Sequence, residues 1–180
     1  MSDRFLIEPT PLAGLYVLQR QPIADERGMF ERVYCDDELR TVGASELRST
    51  HGGLHFSGDW SVCYRANLES RLATRILWHI VKGPYTSEED IYRLAVRQLW
   101  PNHFAVTRTM RVVTTAIRCP LKSLDFITLR VKDAVCDRFR EDRGERPNIE
   151  TRNPDVSVHV FLSESECTLY LDTSGSPLWQ

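Results

Sequence analysis

The sequence contains no apolar run long enough to span a bilayer, because its uninterrupted apolar stretches are only a few residues long. Its start, MSDRFLIEPTPLAG, lacks the basic segment and long apolar core of a signal peptide, so we expect none there. Cysteine is scarce: five are present, an odd number, and no two have the C-x-x-C spacing of a zinc or redox site. These absences predict buried free thiols, no membrane partner and a cytoplasmic location.

The common signatures of catalysis are missing as well. The chain has no GxSxG motif, P-loop, HExxH motif or GxGxxG motif. His51 and His55 are four residues apart, but Gly52 and Gly53 lie between them and disfavour a shared helical face, so we expect no metal site there. We therefore expect no catalytic residue, cofactor site or metal site within these 180 residues.

Charge is unevenly distributed along a chain of ordinary globular composition, 42% hydrophobic and 27% charged. Residues 1–59 carry 6 basic and 10 acidic side chains, a net of −4. Residues 60–132 carry 12 and 5, a net of +7, and residues 133–180 carry 5 and 10, a net of −5. An anionic partner would therefore meet the middle of the chain, although solvated arginine faces on helices would give the same count.

Hydrophobic periodicity predicts an α/β domain from about residue 46 to 180, with helices near 60–76, 87–99 and 122–141. The first helix is expected to bury Val62, Tyr64 or Arg65, Leu68, Leu72 and Ile76, and the third to bury Leu124, Ile127, Val131, Ala134, Val135 and Phe139. Strands are predicted in ILWHIVKG, FAVTRTMRVVTTAIR, DVSVHVFLSES and CTLYLDTSG, the last two as a hairpin. The first 35 residues favour β-strands but do not continue this pattern. The prediction is a mixed sheet flanked by helices, preceded by a short β-rich N-terminal segment.

Four basic residues are the candidates for an anion-binding surface. Arg118 ends the predicted long strand and Lys122 approaches the long helix, while Arg130 and Lys132 leave the apolar face of that helix. A strand end and a helix N-terminus would together offer guanidinium, ammonium and backbone N–H groups to one phosphate path. No set of aromatic residues predicted to be exposed is arranged to stack bases. Recognition of folded RNA by shape and backbone is therefore favoured over sequence recognition.

Five segments carry a family resemblance: HGGLHFSGDWSVCYRANLESRLATRILW, SEEDIYRLA, TAIRCPLKSLDFITLRVKDAVCDRFR, RPNIETRNPDVSVHVFL and CTLYLDTSGSPL. Over about residues 37–178 the sequence resembles the THUMP domain of bacterial ribosomal RNA large subunit guanine methyltransferases. The resemblance implies a module that binds ribosomal RNA while a separate Rossmann-type domain methylates a guanine amino group of 23S rRNA with S-adenosylmethionine. In that family the catalytic domain carries a glycine-rich cofactor loop and an Asn-Pro-Pro-Tyr type motif. This sequence has neither, so we expect it not to methylate by itself.

The first 35 residues resemble a different family. TPLAGLYVLQRQPIADERGMFERVYCDDEL is similar to the opening of the dTDP-4-dehydrorhamnose 3,5-epimerases, a cupin-type jelly roll, with Asp25, Arg27, Gly28 and Phe30 matching their D-x-R-G-x-F stretch. The alternative function is therefore a cupin sugar-nucleotide enzyme. His55 in GGLHFSG echoes the catalytic histidine of that family, but its flanking arginine and glutamine are missing, so we expect this segment to be inactive.

The two resemblances divide the chain into three parts. Residues 1–36 form the epimerase-like segment, residues 37–59 a remnant of an N-terminal ferredoxin-like part, and residues 60–180 the THUMP domain. DDELRTVGA looks like the last turns of a helix whose beginning has been replaced, so the junction is predicted near Cys35. How that junction arose stays open.

Overall fold

The computed structural model divides the chain into two compact units, residues 1–68 and residues 69–180. The division places the first helix, which the sequence assigned to a domain starting at residue 60, in the first unit. The residues that the structure describes are 5–9, 16–20, 23–25, 28–30, 44–50, 53–69 and 73–175.

Within the described residues, the strands of the first unit pair as antiparallel hairpins. β1 (Phe5–Pro9) pairs with β2 (Tyr16–Arg20), and β3 (Ile23–Asp25) pairs with β4 (Gly28–Phe30). β5 (Ser45–Thr50) pairs with β6 (Gly53–Ser57). The β-rich N-terminal segment is thus confirmed over β1 to β4. The predicted helix remnant at 36–43 and the junction at Cys35 lie outside the described residues.

Helix α1 (Trp60–Glu69) is shorter than predicted and buries a different face. Asp59 precedes the helix and caps its N-terminus, because its Oδ1 accepts a hydrogen bond from the Val62 N–H at 3.0 Å. Residues 73–76 are not helical, because Ile76 is held by hydrogen bonds to the other end of the domain. Tyr64 and Leu68, expected in the core, are 64% and 85% exposed. Val62 is half-buried, as expected, and it is joined by Cys63, Ala66 and Asn67, which were not predicted to be buried.

The second unit is built on a four-stranded sheet in the order β7-β10-β9-β8. Its strands are β7 (Leu77–Pro84), β8 (Met110–Ala116), β9 (Val156–Leu162) and β10 (Glu166–Asp172). β8 and β9 are parallel, whereas β10 is antiparallel to both of its neighbours, which confirms the mixed sheet. The parallel pair requires a crossover connection, and the long helix between the two strands supplies it.

Two helices pack on this sheet. α2 (Glu88–Val96) follows β7, and α3 (Leu124–Arg143) connects β8 to β9. The core joins alternate residues of β9 and β10 to one face of each helix: Val158, Val160, Leu162, Cys167, Leu169, Leu171, Ile91, Ala95, Ile127, Val131, Ala134, Val135 and Phe139. The predicted apolar face of α3 is confirmed except at Leu124, which is exposed. Within the described residues, no helix is long and apolar enough to cross a membrane.

The ends of these helices are fixed by local sequence. Ser87 caps α2 in a reciprocal arrangement with Asp90, in which each side chain accepts a hydrogen bond from the other residue's N–H. α3 ends at Gly144, whose φ of 75° lies in the left-handed region that glycine adopts without strain. Both boundaries lie within three residues of those predicted.

The predicted long strand at 104–118 is wrong in its first half, because β8 begins only at Met110. A 3₁₀ helix (Trp100–Asn102) and turns precede it. Trp100 is fully buried, and its Nε1 donates a hydrogen bond to the Ala95 carbonyl at 2.8 Å. This anchor and the packing of Phe104 on Phe139, with ring centroids 4.9 Å apart, hold the segment off the sheet.

Candidate nucleic-acid interface

Arg118 and Lys122 lie in the segment that joins β8 to α3. Arg118 has a φ of 56°, in the left-handed region that non-glycine residues seldom adopt. Ser123 then begins α3, and its Oγ accepts a hydrogen bond from the Phe126 N–H at 3.2 Å. Both basic side chains are exposed, and neither has a carboxylate partner within the part of the chain that the structure describes. The structure therefore brings these two predicted residues together on one loop.

Arg130 is engaged between the two helices of the second unit. Its Nη2 lies 2.6 Å from Glu89 Oε2 on α2, and its guanidinium lies 4.1 Å from the centroid of the Tyr92 ring. The Tyr92 hydroxyl donates to Asp137 Oδ2 on α3 at 3.0 Å. Burial, helped by this bond to Asp137, raises the pKa of Tyr92. Arg130 therefore stabilises the packing of α2 on α3, and its charge is already compensated.

Lys132 lies on the other flank of α3. Residues two apart in a helix point about 200° away from each other, so Arg130 and Lys132 do not share a surface. The Lys132 Nζ lies 2.7 Å from Asp133 Oδ1. Of the four predicted residues, the structure groups Arg118 with Lys122 and separates Arg130 from Lys132.

Acidic side chains occupy the same end of the sheet as Arg118 and Lys122. Backbone hydrogen bonds from Ile117 to Leu162 and from Tyr85 to Ser165 bring the segment after β8, the β9–β10 turn and the approach to α2 together. Glu164 and Glu166 belong to this turn and the strand after it, and Glu88 begins α2. Glu166 pairs with Lys82 at 2.7 Å. The local charge there is mixed rather than uniformly positive.

The opposite end of the sheet carries arginines that sequence reasoning did not select. Arg97 caps the C-terminus of α2, Arg143 lies in the last turn of α3, and Arg146 and Arg152 lie between α3 and β9. All four are exposed, and in the described segments none has a carboxylate partner within ion-pair distance. The sequence does contain a feature that could have pointed to these residues, the closely spaced arginines of REDRGERPNIETR. Acidic residues lie among them, so the net charge of residues 133–180 is negative and gives no sign of a basic surface.

A buried ion pair joins the start of β7 to the end of β10; we refer to Arg75, Ile76, Asp172, Thr173 and Ser174 as the strand clasp. The Arg75 Nη1 donates to Asp172 Oδ2 and also to the Gly175 carbonyl at 3.1 Å. Ser174 Oγ accepts from the Ile76 N–H at 2.8 Å, and the Thr173 N–H donates to the Ile76 carbonyl at 3.0 Å. The LDTSG motif therefore holds the edge of the domain in place.

The clasp also sets the ionisation of Asp172. Its side chain is 1% exposed, and burial alone would raise its pKa. The nearby His159 imidazole, whose Nε2 lies 3.6 Å from Oδ2, opposes that effect together with the Ser174 N–H and Arg75, so the pKa lies below its usual range. Asp172 is therefore a buried carboxylate at neutral pH. Among the described residues, no group of three or more His, Cys, Asp or Glu side chains could hold a metal ion.

Comparison with known families also divides the chain into two consecutive parts. Residues 31–77 match the RlmL ferredoxin-like domain, and residues 85–172 match the THUMP domain. Residues 85–172 form a THUMP domain. The first match includes residues 31–36, which the sequence analysis had assigned to the epimerase-like segment. The comparisons give no support to the epimerase-like resemblance of the N-terminus.

Curated relatives match most of this chain but are much longer. The ribosomal RNA large subunit methyltransferase K/L of Syntrophotalea carbinolica is 37% identical over 142 residues, which are 79% of this chain and 20% of that protein. The protein of the same name from Cellvibrio japonicus is 37% identical over 142 residues, 78% of this chain and 19% of its own length. This chain thus spans about a fifth of the length of these relatives.

A solved structure shares the fold. The crystal structure of a predicted N6-adenine-specific DNA methylase from Listeria monocytogenes superimposes with a TM-score of 0.68 at 22% identity, over 78% of this chain and 37% of that one. The mixed sheet flanked by helices is thus also found within a methylase chain.

Proposed function

We propose that this chain is the RNA-binding part of a ribosomal RNA large subunit guanine-N2 methyltransferase, and that its partner is ribosomal RNA. The observation that carries the proposal is the 37% identity over 142 residues to proteins named ribosomal RNA large subunit methyltransferase K/L, together with the THUMP match at 85–172. RNA recognition by such a module requires cations that can reach phosphates, and Arg118 and Lys122 are exposed cations of this kind. Since bacterial ribosomes are made in the cytoplasm, we also propose a cytoplasmic location.

In this proposal the chemistry belongs to a separate methyltransferase domain, which would bind S-adenosylmethionine. The turn after β8, which leads into the crossover helix α3, does not fit that cofactor, because it reads IRCPLKS and contains no glycine for close approach of a cofactor. In this proposal the chain binds RNA and takes part in no step of methyl transfer.

Within this function, the four residues predicted from the sequence have unequal roles. Arg118 and Lys122 contact phosphate directly. Arg130 and Lys132 add positive charge from the two flanks of α3, but their ends are held by Glu89 and Asp133. Removing Arg118 and Lys122 should therefore weaken RNA binding more than removing two surface cations that already have carboxylate partners.

The test is filter binding of the whole chain to a ribosomal RNA hairpin at several salt concentrations. Because each phosphate contact releases about one counterion, the variant Arg118→Ala/Lys122→Ala should flatten the slope of log K against log salt by about two units. The matched control Arg93→Ala/Arg108→Ala removes two exposed charges that are already paired and should leave the slope unchanged. A wild-type chain that binds no RNA would refute the function. Equal slopes for the two double variants would refute the assignment of the two residues.

A further inference from the structure

An open groove of about 450 Å³ lies at the end of the second unit where β8 begins. Its lining consists of residues 101–106, Phe139 and Arg143. The lining combines apolar residues with the polar side chains of Asn102, His103 and Arg143. The partly buried ring of Phe104 rests on the fully buried Phe139, with centroids 4.9 Å apart and planes at 50°. Small-molecule sites have volumes of roughly 300 to 1,000 Å³, apolar walls and few polar groups. The volume of this groove lies within that range.

Of the three polar side chains that line the groove, those of Asn102, His103 and Arg143, the Arg143 guanidinium is a permanent cation that can only donate hydrogen bonds. Arg143 is exposed and has no carboxylate partner within the residues that the structure covers. Its neighbours Glu141 and Asp142 are both paired with Arg138, at 3.5 and 2.9 Å. In the same described residues, the N–H groups of Ala105 and Val106 find no acceptor within the chain. A ligand that pairs with Arg143 and these N–H groups must therefore supply hydrogen-bond acceptors or negative charge beside the Phe104 ring.

We propose that this groove binds one unpaired nucleotide of an RNA. The base lies against the Phe104 ring, and the phosphate is met by the Arg143 guanidinium and the free N–H groups of Ala105 and Val106. Unpaired bases are commonly bound by stacking on aromatic rings and by arginine, so this combination suits a single-stranded element.

The surroundings of the groove favour RNA over a protein segment. Arg97, Arg146 and Arg152 lie at the same end of the sheet without carboxylate partners among the described residues, and they offer contacts to the flanking phosphates. An apolar peptide side chain would fill the groove but leave Arg143 and the two N–H groups without acceptors. The inference rests on the RNA binding proposed above and assigns the site for a single-stranded part of that RNA.

The experiment uses fluorescence anisotropy of the whole chain with a short labelled single-stranded RNA and with an RNA duplex. Arg143→Ala should weaken single-strand binding about tenfold or more, an effect within the range of one stacked and phosphate-bound nucleotide. The control Arg140→Ala removes the same charge from the same helical turn, but Arg140 is paired with Asp137 and does not line the groove. It should change binding less than about twofold.

A second variant tests the apolar part of the groove. Ala105 lines the groove with an exposed side chain, so Ala105→Leu narrows the groove without removing a core contact. It should weaken single-strand binding about tenfold and leave the unfolding midpoint in urea unchanged. Equal effects of Arg143→Ala and Arg140→Ala, or normal binding by Ala105→Leu, would overturn the inference. Binding of duplex but not of single strands would overturn it and leave the proposed function standing, whereas binding of neither RNA would refute both.

Discussion

Replacing Arg75 by alanine should destabilise the second unit strongly, because it leaves a buried carboxylate without its cation. Asp172 is 1% exposed at its side chain and Arg75 is 22% exposed. Removing one partner of a buried ion pair costs about 3 to 5 kcal/mol, most of it from the uncompensated charge that remains. The Ser174 N–H, 2.9 Å from Asp172 Oδ1, and the imidazole of His159 remain near the carboxylate. We therefore expect a loss of unfolding free energy at the low end of this range, about 3 kcal/mol. For a unit of this size, such a loss lowers the Tm by roughly 12 °C.

The companion variants give the sharper test. Asp172→Asn keeps the shape of the side chain and leaves Arg75 able to reach water, so it should cost only about 1 to 2 kcal/mol. The double variant Arg75→Ala/Asp172→Asn contains no unpaired buried charge. It should therefore be more stable than Arg75→Ala alone, although it has lost more of the native interaction. This non-additivity is the signature of two side chains in one contact.

The dependence on pH has a definite sign. The pKa of Asp172 is lowered in the folded protein, so the folded state binds fewer protons than the unfolded state as the pH falls below the usual aspartate pKa of about 3.9. The stability that Asp172 contributes is therefore complete above that value and is lost as the pH falls through the lower, folded-state pKa. In Arg75→Ala, burial acts with less opposition and the carboxyl group protonates more readily. The difference between wild type and variant should shrink in acid.

Urea unfolding followed by tryptophan fluorescence measures these differences, because Trp100 is fully buried in the same unit. Arg93→Ala is the control, since it removes an exposed partner of Glu89 at 3.5 Å and should cost less than about 0.5 kcal/mol. A loss below about 1 kcal/mol for Arg75→Ala would refute the reasoning. A double variant less stable than Arg75→Ala would refute it as well.

Three further predictions concern single residues. Gly144→Ala should lower the free energy of unfolding, measured in urea, by about 1 kcal/mol, because the φ of 75° is unfavourable for a residue with a side chain. No atom lies within 4 Å of the new Cβ, so the cost comes from the backbone conformation and not from a clash. Gly144→Asn should cost less. Ser87→Ala should cost about 1 kcal/mol by removing the cap of α2, and a variant as stable as wild type would contradict the capping assignment. Burial raises the pKa of Cys167 to about 12, so mass spectrometry should find it alkylated by iodoacetamide only after unfolding; modification of the native protein would contradict this.

The elements that the sequence predicted well are those in which several local signals agree. α3 combines a serine cap, apolar residues at helical spacing and a terminal glycine, and the structure places it at Leu124–Arg143. α2 has the Ser87 cap and an acidic first turn. In the β9–β10 hairpin, apolar residues recur at every second position along much of each strand, as in VSVHV and CTLYL. Each of these signals acts within a few residues, so it can be read without knowledge of the fold.

The failures come from contacts between residues distant in sequence. β8 starts late because the buried Trp100 and the Phe104–Phe139 contact hold the preceding segment off the sheet. Helix α1 does not extend to residue 76, where Ile76 bonds instead to Thr173 and Ser174. The competing structure in both cases is tertiary, and helical or strand periodicity carries no information about it.

The candidate site was predictable only in part, for the same reason. The position of Arg118 and Lys122 on the loop before α3 follows from where the strand and helix end. The ion pair of Arg130 could not be predicted from the ends of these elements, because its partner Glu89 lies 41 residues earlier on another helix. The exposed arginines near the groove were concealed by acids that neutralise the segment charge but are themselves paired, as Glu141 and Asp142 are with Arg138. Net charge along the sequence is therefore a poor guide to which cations can reach phosphate.

The segments that carried the family resemblance most strongly include residues with a structural role. Arg75 of SRLATRI and Asp172, Thr173 and Ser174 of LDTSG meet in the clasp, where the Asp172 carboxylate is closed to solvent and cannot touch RNA. The proposed RNA contacts lie on the loop before α3 and at the groove. Variants of the clasp should therefore lower stability without changing the RNA affinity of the folded fraction. Variants of Lys122 or Arg143 should lower RNA affinity and leave the unfolding midpoint in place. A clasp variant that stays folded yet loses RNA binding would show that stability and recognition are not separated in this domain as the structure implies.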